Sequence, residues 1–254
     1  MKKGLFITAL ILAAFCVSTC NSKEIVITSG ENKTGMDITL VVEGGKHYTH
    51  MLKVMKFFKI KTTPQIAVWI EDTDGNYIET IYVTKRVGTQ DWRKTPGEGV
   101  PIEKVRRKSS LPYWAHKRGV VYEDGLYLPT KANPLPDAIT SASPKASFSL
   151  VTKVPETLTK FIIVAEFNNS GDFNDFYTED AKQGDPGYTG GLYAGGQPAV
   201  VYSVEIDLTS KTESYEMKLI GHSSPDGESG DLYEDTSKMT TGLDLVEKIV
   251  VNVK

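Results

Sequence analysis

Cysteine is almost absent from this chain. Its only two cysteines, Cys16 and Cys20, lie near the N-terminus of a sequence of 254 residues. The rest of the sequence therefore contains no disulfide, no thiolate metal site and no cysteine nucleophile. A chain of this length without cross-links must be stabilised by an ordinary hydrophobic core, and 40% of its residues are hydrophobic.

Residues that commonly carry catalysis are also scarce. Of the four histidines, only His47 and His50 are close in sequence. Metal ligation is one interpretation of this pair, and two ordinary surface or half-buried side chains are the other. No Gly-x-Ser-x-Gly, His-Glu-x-x-His, phosphate-loop or dinucleotide motif occurs. We predict no catalytic residue and no metal ligand set, and we favour a carrier or binding role over an enzyme.

Positive charge is not in excess. The formal net charge is −3, which argues against a nucleic-acid partner. The segment 172–180 is rich in Asp and Glu, and such oxygen ligands suit Ca²⁺. It lacks the EF-hand spacing, so a solvated acidic loop is the alternative.

Long apolar runs are limited to one, near the N-terminus. Lys2 and Lys3 precede an uncharged stretch over 4–15, which is typical of a secretory signal and too short to span a membrane. The following Val17-Ser18-Thr19-Cys20 resembles a bacterial lipoprotein cleavage site.

This resemblance predicts a signal peptide over 1–19, a lipidated Cys20, and an anchor and linker over 20–35. Ordinary cleavage, which would leave Cys20 as a free thiol, is the alternative. We expect an exported protein, attached to the membrane through a lipid anchor at the bacterial cell envelope, in the periplasm or at the outer membrane.

The body of the chain is dominated by strand patterns. Short alternating or β-branched runs, bounded by Gly, Pro, Asn or Asp, predict strands over 24–29, 37–43, 65–71, 77–85, 147–153, 160–167, 199–208, 214–220 and 248–253. The nearly continuous apolar run 66–70 predicts a central strand. A tight turn is predicted over 72–76, with Gly75 at a positive φ. Helical patterns occur only over 102–108 and 240–246.

These patterns predict an all-β fold, an immunoglobulin-like antiparallel β-sandwich with long loop insertions and one or two short helices. We expect a single domain over 36–254. The segment 89–144 interrupts the strand rhythm, and an irregular excursion of this length is more often functional than idle.

The segment Asp137-Ala138-Ile139-Thr140-Ser141-Ala142-Ser143 resembles the acceptor motif of proteins that receive FMN through a phosphoester bond, made by a periplasmic flavin transferase. The resemblance implies that Ser143 is the attachment residue and that Ala142, with its small side chain, leaves room beside it. Asp137 is expected to contact the transferase or its metal, and Thr140 to brace the loop through a side-chain hydrogen bond. The motif differs at Ser141, where Gly is usual, and at Ser143, where Thr is usual. A Ser/Thr-rich turn is the alternative.

The order of segments over 62–177 adds a second resemblance. Four segments in this order resemble the bacterial exported family catalogued as domain of unknown function 2271. They are Ile66-Ala67-Val68-Trp69-Ile70-Glu71-Asp72, Leu111-Pro112-Tyr113-Trp114, the acceptor-like heptapeptide, and Phe161-Ile162-Ile163-Val164-Ala165-Glu166-Phe167-Asn168. Members of that family look like flagellar-hook-type immunoglobulin domains. The resemblance implies a role near extracytoplasmic electron transfer, with a membrane redox protein as partner.

Aromatic and basic residues cluster around Trp114. The Trp114 ring is a candidate surface on which an isoalloxazine ring could stack. Its neighbours in sequence are the aromatic residues Tyr113 and His116 and the basic residues Arg106, Arg107, Lys117 and Arg118, which could bind the phosphate. In the alternative, Trp114 packs into the sandwich and the basic residues line a solvated rim.

Two functions of different classes follow. The first is an extracytoplasmic, lipid-anchored β-sandwich that carries covalent FMN or docks a flavoprotein in cell-envelope electron transfer. The second is a non-enzymatic envelope binding or assembly module that contacts a protein or a polysaccharide.

Overall fold

The computed structural model describes residues 24–30, 33–55, 58–94, 99–191 and 195–254. Within these ranges the strands are β1 Ile25–Thr28, β2 Met36–Gly44, β3 His50–Met55, β4 Phe58–Thr62, β5 Gln65–Glu71, β6 Tyr77–Thr84, β7 Thr140–Ser141, β8 Phe148–Val154, β9 Lys160–Asn168, β10 Val200–Asp207, β11 Ser214–Glu216, β12 Lys218–Ser223, β13 Leu232–Tyr233 and β14 Val246–Val253. Two short α-helices also form, α1 Lys85–Thr89 and α2 Pro112–Lys117. The predicted signal peptide and Cys20 lie outside the described residues.

Two sheets pack face to face. One contains five strands in the order β1-β8-β2-β14-β11, and the other contains seven in the order β13-β12-β10-β9-β5-β6-β7. Their facing side chains form one core, to which the first sheet contributes Leu40 and Leu150 and the second contributes Val68 and Phe161. This arrangement confirms the predicted all-β sandwich with one or two short helices.

Strand β5 is buried on both faces. Ile66, Val68 and Ile70 point into the core between the sheets, whereas Ala67 and Trp69 point to a second apolar cluster on the outer face of the seven-stranded sheet. Residues of the irregular excursion cover that outer face, among them Trp92, Val105, Leu111, Trp114 and Leu128. The predicted central strand is confirmed, and much of the excursion is a packed layer.

Several local predictions are also settled. Gly75 has a φ of 81° in the turn that joins β5 to β6, as predicted. The segment 214–220 forms two strands instead of one, because the chain passes from one sheet to the other at the buried Met217. The hairpin β3–β4 was not predicted, since its apolar and basic residues follow no clean alternation.

The predicted helices at 102–108 and 240–246 form only short 3₁₀ turns, Ile102–Lys104 and Thr241–Asp244. Strand β1 lies within the segment predicted as linker, yet it pairs in parallel with β8, so the sandwich begins before Met36. None of the helices in the described part of the chain is long and apolar enough to cross a membrane.

Candidate functional site

Ser143 lies on the loop between β7 and β8, and two tyrosines hold the backbone on either side of it. The Tyr82 hydroxyl donates to the carbonyl oxygen of Ala142 at 3.3 Å. The Tyr48 hydroxyl donates to the carbonyl oxygen of Pro144 at 3.2 Å. Both tyrosines belong to the core between the sheets, so the acceptor-like loop is tied directly to the interior of the sandwich.

Burial keeps both tyrosines in the role of donors. Desolvation raises the pKa of Tyr48, and the neighbouring Tyr82 raises it further. Desolvation likewise raises the pKa of Tyr82. Since a phenol that stays protonated keeps its O–H, both hydrogen bonds persist across the physiological pH range.

Ser143 lines a cavity of about 470 Å³. The cavity lies between three parts of the chain: the end of β4 with the residues that follow it, the region of α1, and the acceptor-like loop. Ser143 is half-buried, and its hydroxyl makes no hydrogen bond to any described residue. The hydroxyl is therefore accessible and uncommitted, although the backbone that carries it is held in place.

Cations dominate the walls of this cavity. Lys61, Lys85, Arg86 and Arg93 line it, and Asp91 is its only acidic lining residue among those described. The local excess of positive charge contrasts with the net charge of −3 of the whole chain. Such a concentration of one sign in a cleft attracts anions.

Most of these cations are not neutralised. Within the described ranges, Lys61, Lys85 and Arg93 pair with no carboxylate. The Arg86 guanidinium lies 5.8 Å from the centre of the Trp92 ring, a stacking contact that leaves its N–H groups free to donate.

Gln65 adds a neutral donor to the same cavity. It is only 5% exposed. The Thr84 hydroxyl accepts the Ile66 backbone N–H at 3.3 Å and donates its own proton to Gln65 Oε1 at 2.8 Å. Oε1 accepts in that bond, so the Nε2 group is the other end of the amide. Gln65 lines the cavity, and its Nε2 group donates to none of the described residues.

The other residues of the motif lie differently from expectation. Asp137 is exposed, in the 3₁₀ turn Asp137–Ile139, and does not line the cavity. Thr140 Oγ1 is buried and, among the described residues, has no hydrogen-bond partner. Its methyl group packs against Gly88, where a Cβ atom would come within 2.7 Å of it. The predicted bracing hydrogen bond from Thr140 is therefore not formed, and Tyr48 and Tyr82 brace the loop instead.

Trp114 is fully buried, so its ring has no face on which a flavin could stack. Its indole N–H donates to Thr80 Oγ1 at 2.9 Å, and the Arg118 guanidinium lies 5.0 Å from its ring centre. Nearby, Arg106 forms an ion pair with Asp124 at 2.7 Å. The assignment of Trp114 as a cofactor contact is thus corrected, because the ring belongs to the packed outer cluster.

The metal hypotheses receive no geometric support. His50 Nε2 donates to the Ser170 carbonyl oxygen at 3.0 Å, and Asp172 accepts from the Thr241 hydroxyl at 2.8 Å. Within the residues described, no group of three or more His, Cys, Asp or Glu side chains is placed to hold a metal ion. Neither the histidine pair nor the acidic loop therefore forms a recognisable metal site in this part of the chain.

Comparison of the chain with protein-family models, with curated proteins and with solved structures finds no match. The resemblances noted from short motifs therefore stay predictions, and the candidate site is defined by its geometry. Sequence reasoning missed Tyr48, Tyr82, Gln65 and the cationic walls. The basic pair Lys85-Arg86 was a visible signal, but nothing in the sequence connected it to Ser143.

Proposed function

We propose that this protein is an extracytoplasmic, lipid-anchored β-sandwich that carries FMN in a phosphoester bond to Ser143. It then serves as a redox carrier or accessory beside a membrane redox protein, and a periplasmic flavin transferase loads it. The observation that carries the proposal is the uncommitted, half-buried Ser143 hydroxyl on the wall of a cationic cavity of about 470 Å³. That setting suits a serine that bears a phosphate group.

The loading reaction is a group transfer. The Ser143 Oγ attacks the phosphorus of FAD on the FMN side, forming a P–O bond as the bond between the two phosphates breaks and AMP leaves. The hydroxyl proton passes to a base or metal-bound group of the transferase. The product phosphodiester keeps one negative charge, which the cations around Ser143 stabilise.

The direct test is covalent labelling. The chain is coexpressed with a periplasmic flavin transferase and examined for a fluorescent band after denaturing electrophoresis. We expect labelling of the wild type and of Ser141→Ala, and none of Ser143→Ala. Ser141 is the matched control, because it is a half-buried serine at the end of β7, two residues before Ser143, whose hydroxyl bonds only the Ala142 carbonyl oxygen, at 3.4 Å. A dark wild type, in cells where an established acceptor is labelled, excludes covalent flavin.

One observation supports a binding module as a second candidate. The excursion contains a separate cavity of about 700 Å³, whose lining includes Tyr122, Leu126, Glu103 and Asn133. An aromatic and aliphatic floor with carboxylate and amide groups suits a polysaccharide chain. This alternative predicts that a cell-wall polysaccharide binds the wild type in calorimetry and that Tyr122→Ala abolishes the binding. Absence of binding to the wild type rejects it.

A further inference from the structure

The cationic cavity beside Ser143 resembles a complete anion site even without any covalent bond. Its volume, about 470 Å³, lies within the usual range for pockets that hold small organic ligands. Donors converge on it from different segments: Gln65 at the start of β5, Lys85 and Arg86 in α1, and Arg93 beyond α1. Convergence from separate segments is typical of ligand sites, whereas a solvated basic run would come from one segment.

The donor set matches the oxygen atoms of a phosphate monoester. Guanidinium groups bind phosphate through paired N–H donors, and such charge-assisted hydrogen bonds are about twice as strong as neutral ones. Gln65 contributes a neutral N–H₂ group from a residue that is only 5% exposed. A dianionic phosphate has enough oxygen atoms to occupy several of these donors together.

The excess of cations in the lining favours an anionic ligand. Asp91 is exposed and opposes four cations, so an anion gains charge-assisted hydrogen bonds that a neutral or cationic ligand does not. The four cations are themselves exposed, so solvent and salt already screen their mutual repulsion, and a bound anion adds direct contacts to them.

We propose that this cavity is a reversible phosphate-monoester site, in which Arg86, Arg93 and the Nε2 group of Gln65 bind the phosphate of FMN independently of the Ser143 ester. The inference rests on the proposed function for the choice of flavin as ligand. The site itself depends only on the cavity, its unpaired cations and the Gln65 amide.

Reversible binding is measured on the full-length chain, purified from cells without a flavin transferase so that Ser143 is unmodified. The probes are FMN, riboflavin and inorganic phosphate, and the readouts are flavin fluorescence and calorimetry. We expect FMN to bind at least about tenfold more tightly than riboflavin, because riboflavin lacks the charged group. Inorganic phosphate competes with FMN, and added salt weakens FMN binding. Equal affinities for FMN and riboflavin overturn the inference.

Two variants locate the phosphate. Arg93→Gln is expected to weaken FMN and phosphate binding by roughly tenfold or more. The matched control is Lys94→Gln, which removes an exposed charge next to Arg93 that does not line the cavity and changes binding less than about twofold. Gln65→Glu keeps an acceptor for Thr84 but replaces the donor with a negative charge, so it abolishes binding. Equal effects of the Arg93 and Lys94 substitutions overturn the inference even if the Gln65 variant does not fold.

Ser143→Ala separates this inference from the proposed function. It removes the attachment atom and leaves the cations in place, so reversible FMN binding is retained. Reversible binding by a wild type that is never labelled supports the phosphate site and rejects covalent attachment. Labelling of a wild type that binds neither free FMN nor phosphate supports covalent attachment and rejects the reversible phosphate site.

Discussion

The side-chain carboxyl group of Glu166 accepts a hydrogen bond of 2.8 Å from the backbone N–H of Trp114, 52 residues earlier in the chain. It also accepts the N–H of Tyr113 at 3.3 Å. Both donors lie in the first turn of α2, where backbone N–H groups have no partner within the helix. A fully buried side chain of β9 therefore satisfies the start of α2 and fastens the excursion to the outer face of the seven-stranded sheet.

This arrangement predicts that stability depends on the ionisation of Glu166. Burial raises the pKa of Glu166 from 4.5 to about 8, although the hydrogen bonds from the backbone N–H groups of Trp114 and Tyr113 favour the charged form. Because the folded pKa is higher than the unfolded one, the folded state retains a proton that the unfolded state loses. Its contribution to stability is complete below pH 4.5 and is lost as the pH rises through about 8.

We therefore expect the free energy of unfolding in urea to fall between these pH values for the wild type. Glu166→Gln has no ionisable side chain at this position, so its free energy of unfolding decreases less over the same pH range. Its stability relative to the wild type is therefore higher at alkaline pH than at acidic pH. Glu156→Gln, at an exposed position, serves as the control and follows the wild-type profile. A wild-type profile that coincides with that of Glu166→Gln contradicts the prediction.

Substitution of Trp114 tests whether its role is structural. Trp114→Phe removes the indole N–H that bonds Thr80 and leaves unfilled volume in the outer cluster. We expect a loss of about 2 kcal/mol in the free energy of unfolding, measured by urea denaturation. Thr80 keeps a partner, since its hydroxyl also lies 2.8 Å from the Tyr77 hydroxyl.

The same variant is expected to bind and carry flavin as the wild type does, because the buried ring is not among the residues that line the Ser143 cavity. A change in flavin labelling or in the flavin absorption spectrum of folded Trp114→Phe contradicts the structural assignment and restores Trp114 as a cofactor contact.

The strengths of the sequence prediction follow from local patterns. Strand β5 matches its predicted bounds, since its apolar run and the turn at Gly75 are local signals. The hairpin β3–β4 has no such signal, because Met51 and Ile60 remain exposed to solvent.

The candidate site could be predicted only in part. Ser143 was singled out by its motif, but Tyr48 and Tyr82 lie 96 and 60 residues from the carbonyl groups that they bind. Contacts over that separation are set by the sheet topology and not by spacing.

Gly227 connects the excursion to the loop after β12, and its substitution tests that contact. A Cβ atom at Gly227 would lie 2.3 Å from the Lys108 carbonyl oxygen, and the residue has a φ of 74°. Gly125 has a φ of 77° but nothing within 4 Å of its Cβ position, so Gly125→Ala measures the backbone strain alone, about 1–2 kcal/mol.

We expect Gly227→Ala to lose roughly a further 1–3 kcal/mol, since backbone atoms must move to relieve the clash. Thermal or urea unfolding of the two variants gives the comparison. Equal losses at the two glycines show that the loop and the excursion are not in close contact.

The two tyrosines predict how firmly the Ser143 loop is held. Tyr82→Phe and Tyr48→Phe each remove one hydroxyl that binds a carbonyl group beside Ser143, so each is expected to destabilise the loop by about 1 kcal/mol. Cleavage of the loop after the exposed Lys145 by a lysine-specific protease is then faster, by roughly fivefold, because cleavage requires local opening of the loop.

Tyr202→Phe is the matched control, because its hydroxyl belongs to another buried tyrosine of the core and bonds none of the described residues. Unchanged cleavage after Lys145 in both variants contradicts the bracing role. Faster cleavage in Tyr202→Phe as well indicates a general loosening of the core. Only faster cleavage confined to the first two variants shows that the tyrosines position the candidate attachment residue.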